Sequence, residues 1–282
     1  MNFTLGFSPC PNDTFIFDAL VNKKIDTGDF HFDVRLEDVE TLNELAKKER
    51  LDLTKISYGV LPLVAKNYVV MNSGSALGKG VGPLLISQKP VDFDQVEHYT
   101  IAIPGENTTA HLLFSLAFPN AKNKIFKRYD EIESSVLQSE KILGVIIHEN
   151  RFTYMDRGLY KIVDLGNFWE EKTGLPIPLG GIVAKRSFDE NVLMKVDALI
   201  KESMKYAFEN YPLITGYVKQ HSQEMEVEVM KKHIDLYVNK FSINLGKDGR
   251  NAIQKFMQVY METNRIDPSM LLSEKDLFVK EE

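Results

Sequence analysis

The sequence predicts an α/β protein with two lobes and a helical C-terminal part. Short apolar runs alternate with amphipathic stretches through the first two thirds of the chain, a pattern typical of mostly parallel sheets covered by helices. Two strand-like runs, 81–88 and 182–186, bracket a middle segment with its own strand and helix rhythm, and beyond the second run the pattern is helical. We therefore expect residues 89–180 to form a second α/β lobe, inserted into a first lobe made of 1–88 and 181–282.

The first lobe opens with three predicted strands, each followed by a helix. Prolines fix φ in the turn 8–14, where Asn12 or Asp13 can cap the first helix. Asp38 can cap the second helix, and Pro62 is tolerated in the first turn of the third. The predicted strands are 3–7, 30–36 and 51–57, and the helices begin near residues 14, 39 and 58.

The middle segment and the C-terminal part follow the same rules of hydrophobic periodicity. The middle segment has predicted strands 100–103, 124–129, 142–148 and 159–165 and predicted helices 109–118 and 130–139, and the C-terminal helices are predicted near 189–210, 212–220, 223–240 and 247–263. Two lobes joined by two crossovers form a cleft, and ligand pockets favour such interfaces. The fold alone does not identify the ligand.

The composition narrows the class of function. The 282 residues carry a net charge of −6, which argues against a nucleic-acid binder. The single cysteine, Cys10, excludes an internal disulfide and a multi-cysteine metal site. The first residues read as a strand instead of a signal peptide, and no run reaches the roughly 18 apolar residues of a membrane helix. We expect a cytoplasmic protein without membrane insertion, and the sequence does not indicate its oligomeric state.

The run 141–150 carries the first candidate for chemistry. An unbroken apolar stretch, typical of a strand buried on both faces, ends in His148, Glu149 and Asn150. Ligands in open α/β sheets lie just beyond the carboxyl ends of such strands, and imidazole is suited to proton transfer near neutral pH. His148 is therefore a candidate general base, although a structural histidine fits the pattern equally well. On an extended strand Glu149 would point to the opposite face.

Two strand-to-helix junctions are candidate anion sites. At 104–111 a glycine turn is followed by Thr108 and Thr109 at a helix start, where free N–H groups favour a carboxylate or phosphate. At 54–59 Ser57 has an equivalent position in the first lobe. Ordinary helix capping by Thr108 and Ser57 explains both patterns as well.

Other features favour structural interpretations. The glycines of 78–82 match neither common phosphate-loop spacing and indicate a flexible or tight turn. Cys10 has no local histidine partner and reads as a small buried residue in a proline-rich turn. His31, His98, His221 and His233 lack metal-ligand spacing, so we expect no metal site.

The chain resembles the 1,4-dihydroxy-6-naphthoate synthases of the futalosine route to menaquinone. The resemblance covers roughly the first two thirds of the chain and preserves the order of the motifs. The matching segments are Gly6-Phe7-Ser8-Pro9-Cys10-Pro11-Asn12-Asp13-Thr14-Phe15-Ile16-Phe17, Leu36-Glu37-Asp38-Val39-Glu40-Thr41-Leu42-Asn43, Leu53-Thr54-Lys55-Ile56-Ser57-Tyr58, Ser73-Gly74-Ser75-Ala76-Leu77-Gly78, Pro104-Gly105 with Thr108-Thr109-Ala110, Ile147-His148-Glu149-Asn150-Arg151-Phe152-Thr153-Tyr154, Val163-Asp164-Leu165-Gly166 and Thr173-Gly174-Leu175-Pro176-Ile177-Pro178-Leu179-Gly180.

The resemblance implies a fold like the type II periplasmic binding proteins and a carbon–carbon lyase. The implied substrate is the carboxylate cyclic dehypoxanthinyl futalosine, and the implied products are 1,4-dihydroxy-6-naphthoate and a small sugar-derived fragment. It implies no metal or organic cofactor. The implied base is His148, and the implied substrate-binding residues are Lys55, Ile56, Ser57, Thr109 and Ala110, with Thr108 and Asn43 as further candidates. At residue 56 the family often has leucine, a change that leaves backbone contacts intact.

Two rival interpretations share this fold. A solute-binding protein would carry a secretion or lipoprotein signal, which the first residues do not resemble, and would need no base. A sister lyase, chorismate dehydratase, is disfavoured by the turn 8–14 and by His148-Glu149-Asn150.

Overall fold

The computed structural model describes residues 1–222, 226–267, 269 and 271–281. The chain packs as two compact units, one made of Met1–Gly78 with Pro178–Glu282 and the other of Lys79–Ile177. The strands are β1 (Asn2–Phe7), β2 (His31–Leu36), β3 (Leu53–Ser57), β4 (Tyr68–Val70), β5 (Ala76–Gly78), β6 (Leu84–Ser87), β7 (Thr100–Ile103), β8 (Lys124–Phe126), β9 (Ile142–Ile146), β10 (Tyr160–Asp164) and β11 (Ile177–Lys185).

Helices follow most of the early strands and fill the C-terminal part. They are α1 (Pro11–Val21), α2 (Val39–Lys47), α3 (Leu61–Val64), α4 (Thr109–Ala117), α5 (Ile132–Gln138), α6 (Asn150–Thr153), α7 (Leu165–Thr173), α8 (Glu190–Asn210), α9 (Gly216–His221), α10 (Val227–Tyr237), α11 (Lys240–Ile243), α12 (Gly246–Asn264) and α13 (Glu274–Leu277). The predicted helix 223–240 begins in residues 223–225, which lie outside the described residues.

The sheet of the first unit has the strand order β2-β1-β3-β11-β4, with β5 paired to β11. Strand β1 is parallel to β2 and β3, whereas β11 is antiparallel to β3 and β4. Phe3, Leu5 and Phe7 of β1 are buried in a core shared with α1 and α8. Helix α1 begins at Pro11 with Cys10 as its N-cap, not Asn12 or Asp13, because the fixed φ of proline suits the first helical position, where an N–H has no partner within the helix.

The sheet of the second unit has the order β10-β6-β9-β7-β8. Strand β7 is parallel to β8 and β9, whereas β6 is antiparallel to β9 and β10. Both sheets are therefore mixed, and the expectation of mostly parallel sheets was wrong. Two strands of one sheet that are joined through a helix run parallel, with a right-handed crossover. Strands β6 and β11 are not joined to their sheet neighbours in this way, so the rule does not fix their direction.

The limits of the two units differ from those expected from the sequence. The run 81–88, assigned above to the first lobe, contains β6, which pairs with β9 and β10 and so belongs to the second unit. The second unit therefore spans Lys79–Ile177 instead of 89–180. The α/β class and the helical C-terminal part are confirmed. Among the described residues, no helix combines the length and apolarity needed to cross a membrane.

Gly144 sets how closely the helix layer lies on the second sheet. A Cβ at this position would lie 2.6 Å from Ile132 Cγ2 and 2.7 Å from Val136 Cγ2 of α5. Only glycine allows α5 to pack this closely on β9, whose remaining residues from Leu143 to Ile146 are buried. This packing fixes the carboxyl end of β9, where His148 follows.

Candidate functional site

The strand that leads to His148 ends earlier than the sequence predicted. Strand β9 stops at Ile146, and His148 lies in a turn with φ of 57°, in the left-handed region. This conformation is uncommon for residues with a Cβ, and Lys23, Glu49 and Arg265 share it in ordinary turns, so it indicates a tight turn that the surrounding structure holds. The turn leaves the His148 side chain half-buried at the carboxyl edge of the sheet.

The early end of β9 changes the expectation for Glu149. On an extended strand Glu149 would point away from His148, but both residues lie in a turn. Glu149 is 7% exposed and precedes the short helix α6. Its burial beside the candidate base was not indicated by the alternation of the strand.

Tyr129 contacts His148 and was missed by the sequence analysis. The two ring centroids lie 4.9 Å apart with an interplanar angle of 64°, an edge-to-face contact. Tyr129 is buried and lies just beyond β8, two strands from β9 in the sheet. The sequence placed Tyr129 at the end of the predicted strand 124–129, but the contact with His148 depends on strand order, which the sequence did not show.

The segment that follows β7 lies at the same sheet edge as His148. Strands β7 and β9 are parallel neighbours, with Ala102 opposite Gly144. Helix α4 begins at Thr109, and the amides of its first turn have no partner within the helix. Thr109 and Ala110 are both buried, at 3% and 2% exposure. A helix start and an imidazole therefore follow adjacent strand ends within one unit.

The Thr108 hydroxyl forms two hydrogen bonds within this segment. It donates to the Gly105 carbonyl at 2.9 Å and accepts from the His111 amide at 3.2 Å, as an N-cap does. Gly105 has φ of 118°, which side chains rarely adopt. Capping thus accounts for Thr108, and anion binding at this helix start would rely on Thr109 and Ala110.

In the first unit, Lys55 on β3 forms a buried ion pair. Its Nζ lies 2.9 Å from Asp13 Oδ1, and the two side chains are 6% and 3% exposed. Nζ also donates to the Gly74 carbonyl at 2.9 Å. Asp13 in turn accepts from the Ser8 hydroxyl at 2.7 Å. Asp13 was expected only as a helix cap, and its pairing with a lysine 42 residues further along the chain was not visible in the sequence.

The residues beside Lys55 are held by hydrogen bonds. Ile56 is fully buried, and the Ser57 amide donates to Asn43 Oδ1 at 2.9 Å. Ser57 Oγ accepts from the Gly59 amide at 3.2 Å. Asn43 on α2 is fully buried. Asn43 thus fixes the backbone at the end of β3.

The glycine-rich segment 78–82 is a turn whose backbone is fixed by hydrogen bonds to two side chains. The Gly80 amide donates to Glu170 Oε1 at 2.7 Å, and the Gly80 carbonyl accepts from Arg151 Nη2 at 2.8 Å. A Cβ on Gly82 would lie 2.2 Å from Gly166 Cα, so glycine allows close backbone packing there. These contacts favour the tight-turn interpretation of this segment over a phosphate loop.

Known proteins similar in sequence agree in name. The family profile VitK2_biosynth, described as menaquinone biosynthesis, matches residues 3–262. A Thermus thermophilus protein named 1,4-dihydroxy-6-naphthoate synthase is 44% identical over 251 residues, which cover 89% of this chain and 91% of that protein. A Streptomyces coelicolor protein of the same name is 40% identical over 255 residues, 89% of each chain.

Solved structures extend the likeness to the fold. A protein from Archaeoglobus fulgidus has a TM-score of 0.87 at 29% identity and covers 94% of this chain and 98% of its own. The periplasmic aliphatic sulphonate-binding protein of Escherichia coli has a TM-score of 0.68 at 10% identity, covers 99% of this chain and 92% of its own, and shows the fold alone. The periplasmic-binding-protein-like fold is confirmed, and by sequence the chain belongs to the menaquinone biosynthesis family of 1,4-dihydroxy-6-naphthoate synthases.

Proposed function

We propose that this protein is a carbon–carbon lyase that converts cyclic dehypoxanthinyl futalosine to 1,4-dihydroxy-6-naphthoate and a small sugar-derived fragment. Its family membership supports the product and the pathway. The observation that carries the chemistry is the left-handed turn after β9, which leaves His148 half-buried, while the start of α4 follows the neighbouring parallel strand β7. An imidazole and a set of helix-start amides then serve one substrate, the first as base and the second as anion anchor.

In the proposed reaction His148 accepts a proton from the substrate. In a retro-aldol step the electron pair left on the substrate oxygen forms the carbonyl group of the departing fragment, the carbon–carbon bond breaks, and the electrons of that bond stay on the ring as an enolate. The ring that remains becomes aromatic, which supplies the driving force without a metal or organic cofactor. A positioned general base contributes about 10²–10⁴-fold to the rate. The edge of Tyr129 against the ring supports a fixed orientation of that base.

The substrate carboxylate is proposed to bind at the start of α4. The dipole of α4 favours an anion at its N-terminal end, and the Thr109 side chain adds a hydroxyl. In the first unit, Lys55, Ile56 and Ser57 are proposed as a second binding segment, as the family resemblance implies. The buried ammonium of Lys55, with two hydrogen bonds to protein oxygens at 2.9 Å, supports a fixed polar group at that segment.

The decisive experiment is turnover of the cyclic substrate by the purified protein, with dihydroxynaphthoate detected by chromatography. We expect His148→Ala to lower kcat by about 10²–10⁴-fold, the loss typical for a missing general base. The matched control is His98→Ala, because His98 is an exposed histidine of the same unit. Near-full activity of His148→Ala would remove the base assignment while leaving the family intact.

The same assay separates the rival functions. Tight binding of the substrate without any product would favour a receptor with this fold. Dehydration of chorismate in place of the cyclic substrate would favour the sister lyase. The cytoplasmic location stays a prediction.

A further inference from the structure

His111, on the first turn of α4, holds the segment that precedes the helix. Its Nδ1 lies 2.7 Å from the carbonyl oxygen of Glu106. A carbonyl oxygen only accepts, so Nδ1 must carry the proton in this contact. In a neutral imidazole the other nitrogen, Nε2, is then an acceptor. The ring thus ties the start of α4 to the turn that leads into it.

Lys124 contacts the other side of the same ring. Its Nζ, on edge strand β8, lies 3.1 Å from His111 Nε2 and 2.7 Å from Ser115 Oγ. An ammonium group only donates, so Nε2 must accept. The neutral ring with its proton on Nδ1 is the one form that satisfies both the lysine and the carbonyl.

The charges around the ring favour this form. Burial lowers the pKa of His111 below its ordinary value, and the Lys124 ammonium acts in the same direction, while the Glu106 carbonyl and carboxylate oppose them. Burial also lowers the pKa of Lys124, helped by the nearby charge of Lys122. A protonated ring would direct an N–H at the Lys124 ammonium, so protonation of His111 would break this contact.

We propose that Lys124 and His111 are positioning residues for the anchor at the start of α4. Lys124 selects the Nδ1–H tautomer of His111, and this tautomer holds the Glu106 carbonyl and with it the turn from Gly105 to Thr108. The helix-start amides are thereby fixed before the carboxylate arrives. This inference rests on the proposed function, because it assigns the anchor a substrate carboxylate.

The position of the anchor predicts which kinetic constant changes. The carboxylate is bound equally in the ground state and the transition state, since it takes no part in bond cleavage. Loss of an interaction that is equally strong in the ground state and the transition state raises KM and leaves kcat unchanged. A role confined to folding would lower the amount of active protein and so would reduce kcat without raising KM.

Two substitutions of His111 separate its two nitrogens. The amide nitrogen of His111→Asn takes the place of Nδ1 and can still reach the Glu106 carbonyl, whereas that of His111→Gln takes the place of Nε2. We expect His111→Gln to raise KM about five- to tenfold, the effect of one hydrogen bond. We expect His111→Asn to recover most of the wild-type KM. Equal KM values for the two variants, or a loss confined to kcat, would overturn the proposal.

The tautomer itself is measured without substrate, by ¹⁵N NMR of histidine-labelled protein, with His111→Asn used to assign the signal. We expect Nδ1–H in the wild type and a loss of this preference in Lys124→Met. Lys141→Met is the control, because Lys141 is an exposed lysine of the same unit. An Nε2–H ring in the wild type, or an unchanged tautomer in Lys124→Met, would overturn the proposal. Absence of turnover by the wild type would count against the proposed function alone.

Discussion

Each of the two candidate binding segments involves a lysine, because Lys55 belongs to the first segment and Lys124 of β8 contacts His111 in the second, but the two lysines have different partners. Lys55, in the middle of β3, is almost completely buried, and its Nζ lies 2.9 Å from Oδ1 of Asp13. Lys124 on β8 is half-buried and meets an imidazole and a hydroxyl instead. A carboxylate cancels the charge and permits deep burial, whereas a neutral acceptor does not. The first lysine is therefore a fixed charge, and the second acts on its neighbour's tautomer.

The largest expected effect comes from removing the counter-charge of Lys55. Asp13→Asn keeps the shape of the side chain and its capacity to accept from the Ser8 hydroxyl, but it leaves a buried ammonium uncompensated. Breaking a buried pair in this way costs about 3–5 kcal/mol. We expect a drop of that size in the free energy of unfolding, measured by urea denaturation.

The control for this change is the double variant Asp13→Asn with Lys55→Met. Removal of both charges leaves no unpaired buried ion, so much of the lost stability should return. If the single and double variants are equally unstable, the ion pair is not the cause, and the comparison between the two lysines fails.

Smaller effects are expected where a side chain accepts from a backbone amide at each segment. Asn43 Oδ1 accepts from the Ser57 amide at 2.9 Å and is fully buried, whereas Thr108 Oγ1 accepts from the His111 amide at 3.2 Å at a helix end. Asn43→Ala strands a buried donor and should cost about 1–3 kcal/mol. Thr108→Ala removes an N-cap and should cost about 1 kcal/mol. The reverse order in urea denaturation would contradict the expectation that the fully buried Asn43 contact contributes more stability than the helix cap.

The sequence predicted the strands and helices of both segments but not the side-chain contacts that join one strand or helix to another. The apolar run before His148 predicted a buried strand, yet the end of β9 at Ile146 depends on how the turn packs, including the contact with Tyr129. The spacing around Thr108 predicted its cap, because that contact is local. The pairs Asp13–Lys55 and His111–Lys124 join different elements, and no periodicity within one element reports on them. The antiparallel directions of β6 and β11 were not predicted, because they too depend on pairing between different elements.

The smallest expected effect on stability belongs to Lys124→Met, and its pH dependence has a definite sign. Burial lowers the pKa of Lys124 from the ordinary value of 10.5, so the unfolded chain holds this proton more tightly than the folded protein does. Stability of the wild type therefore gains from this group as pH rises from the lowered folded pKa toward the unfolded value. At neutral pH the variant loses hydrogen bonds but also the cost of the buried charge, and we expect a change of about 1 kcal/mol or less. Urea denaturation of both proteins at neutral and alkaline pH measures the difference, which should grow in favour of the wild type as pH rises. A loss as large as that of Asp13→Asn at neutral pH would mean that Lys124, too, is a fixed structural charge.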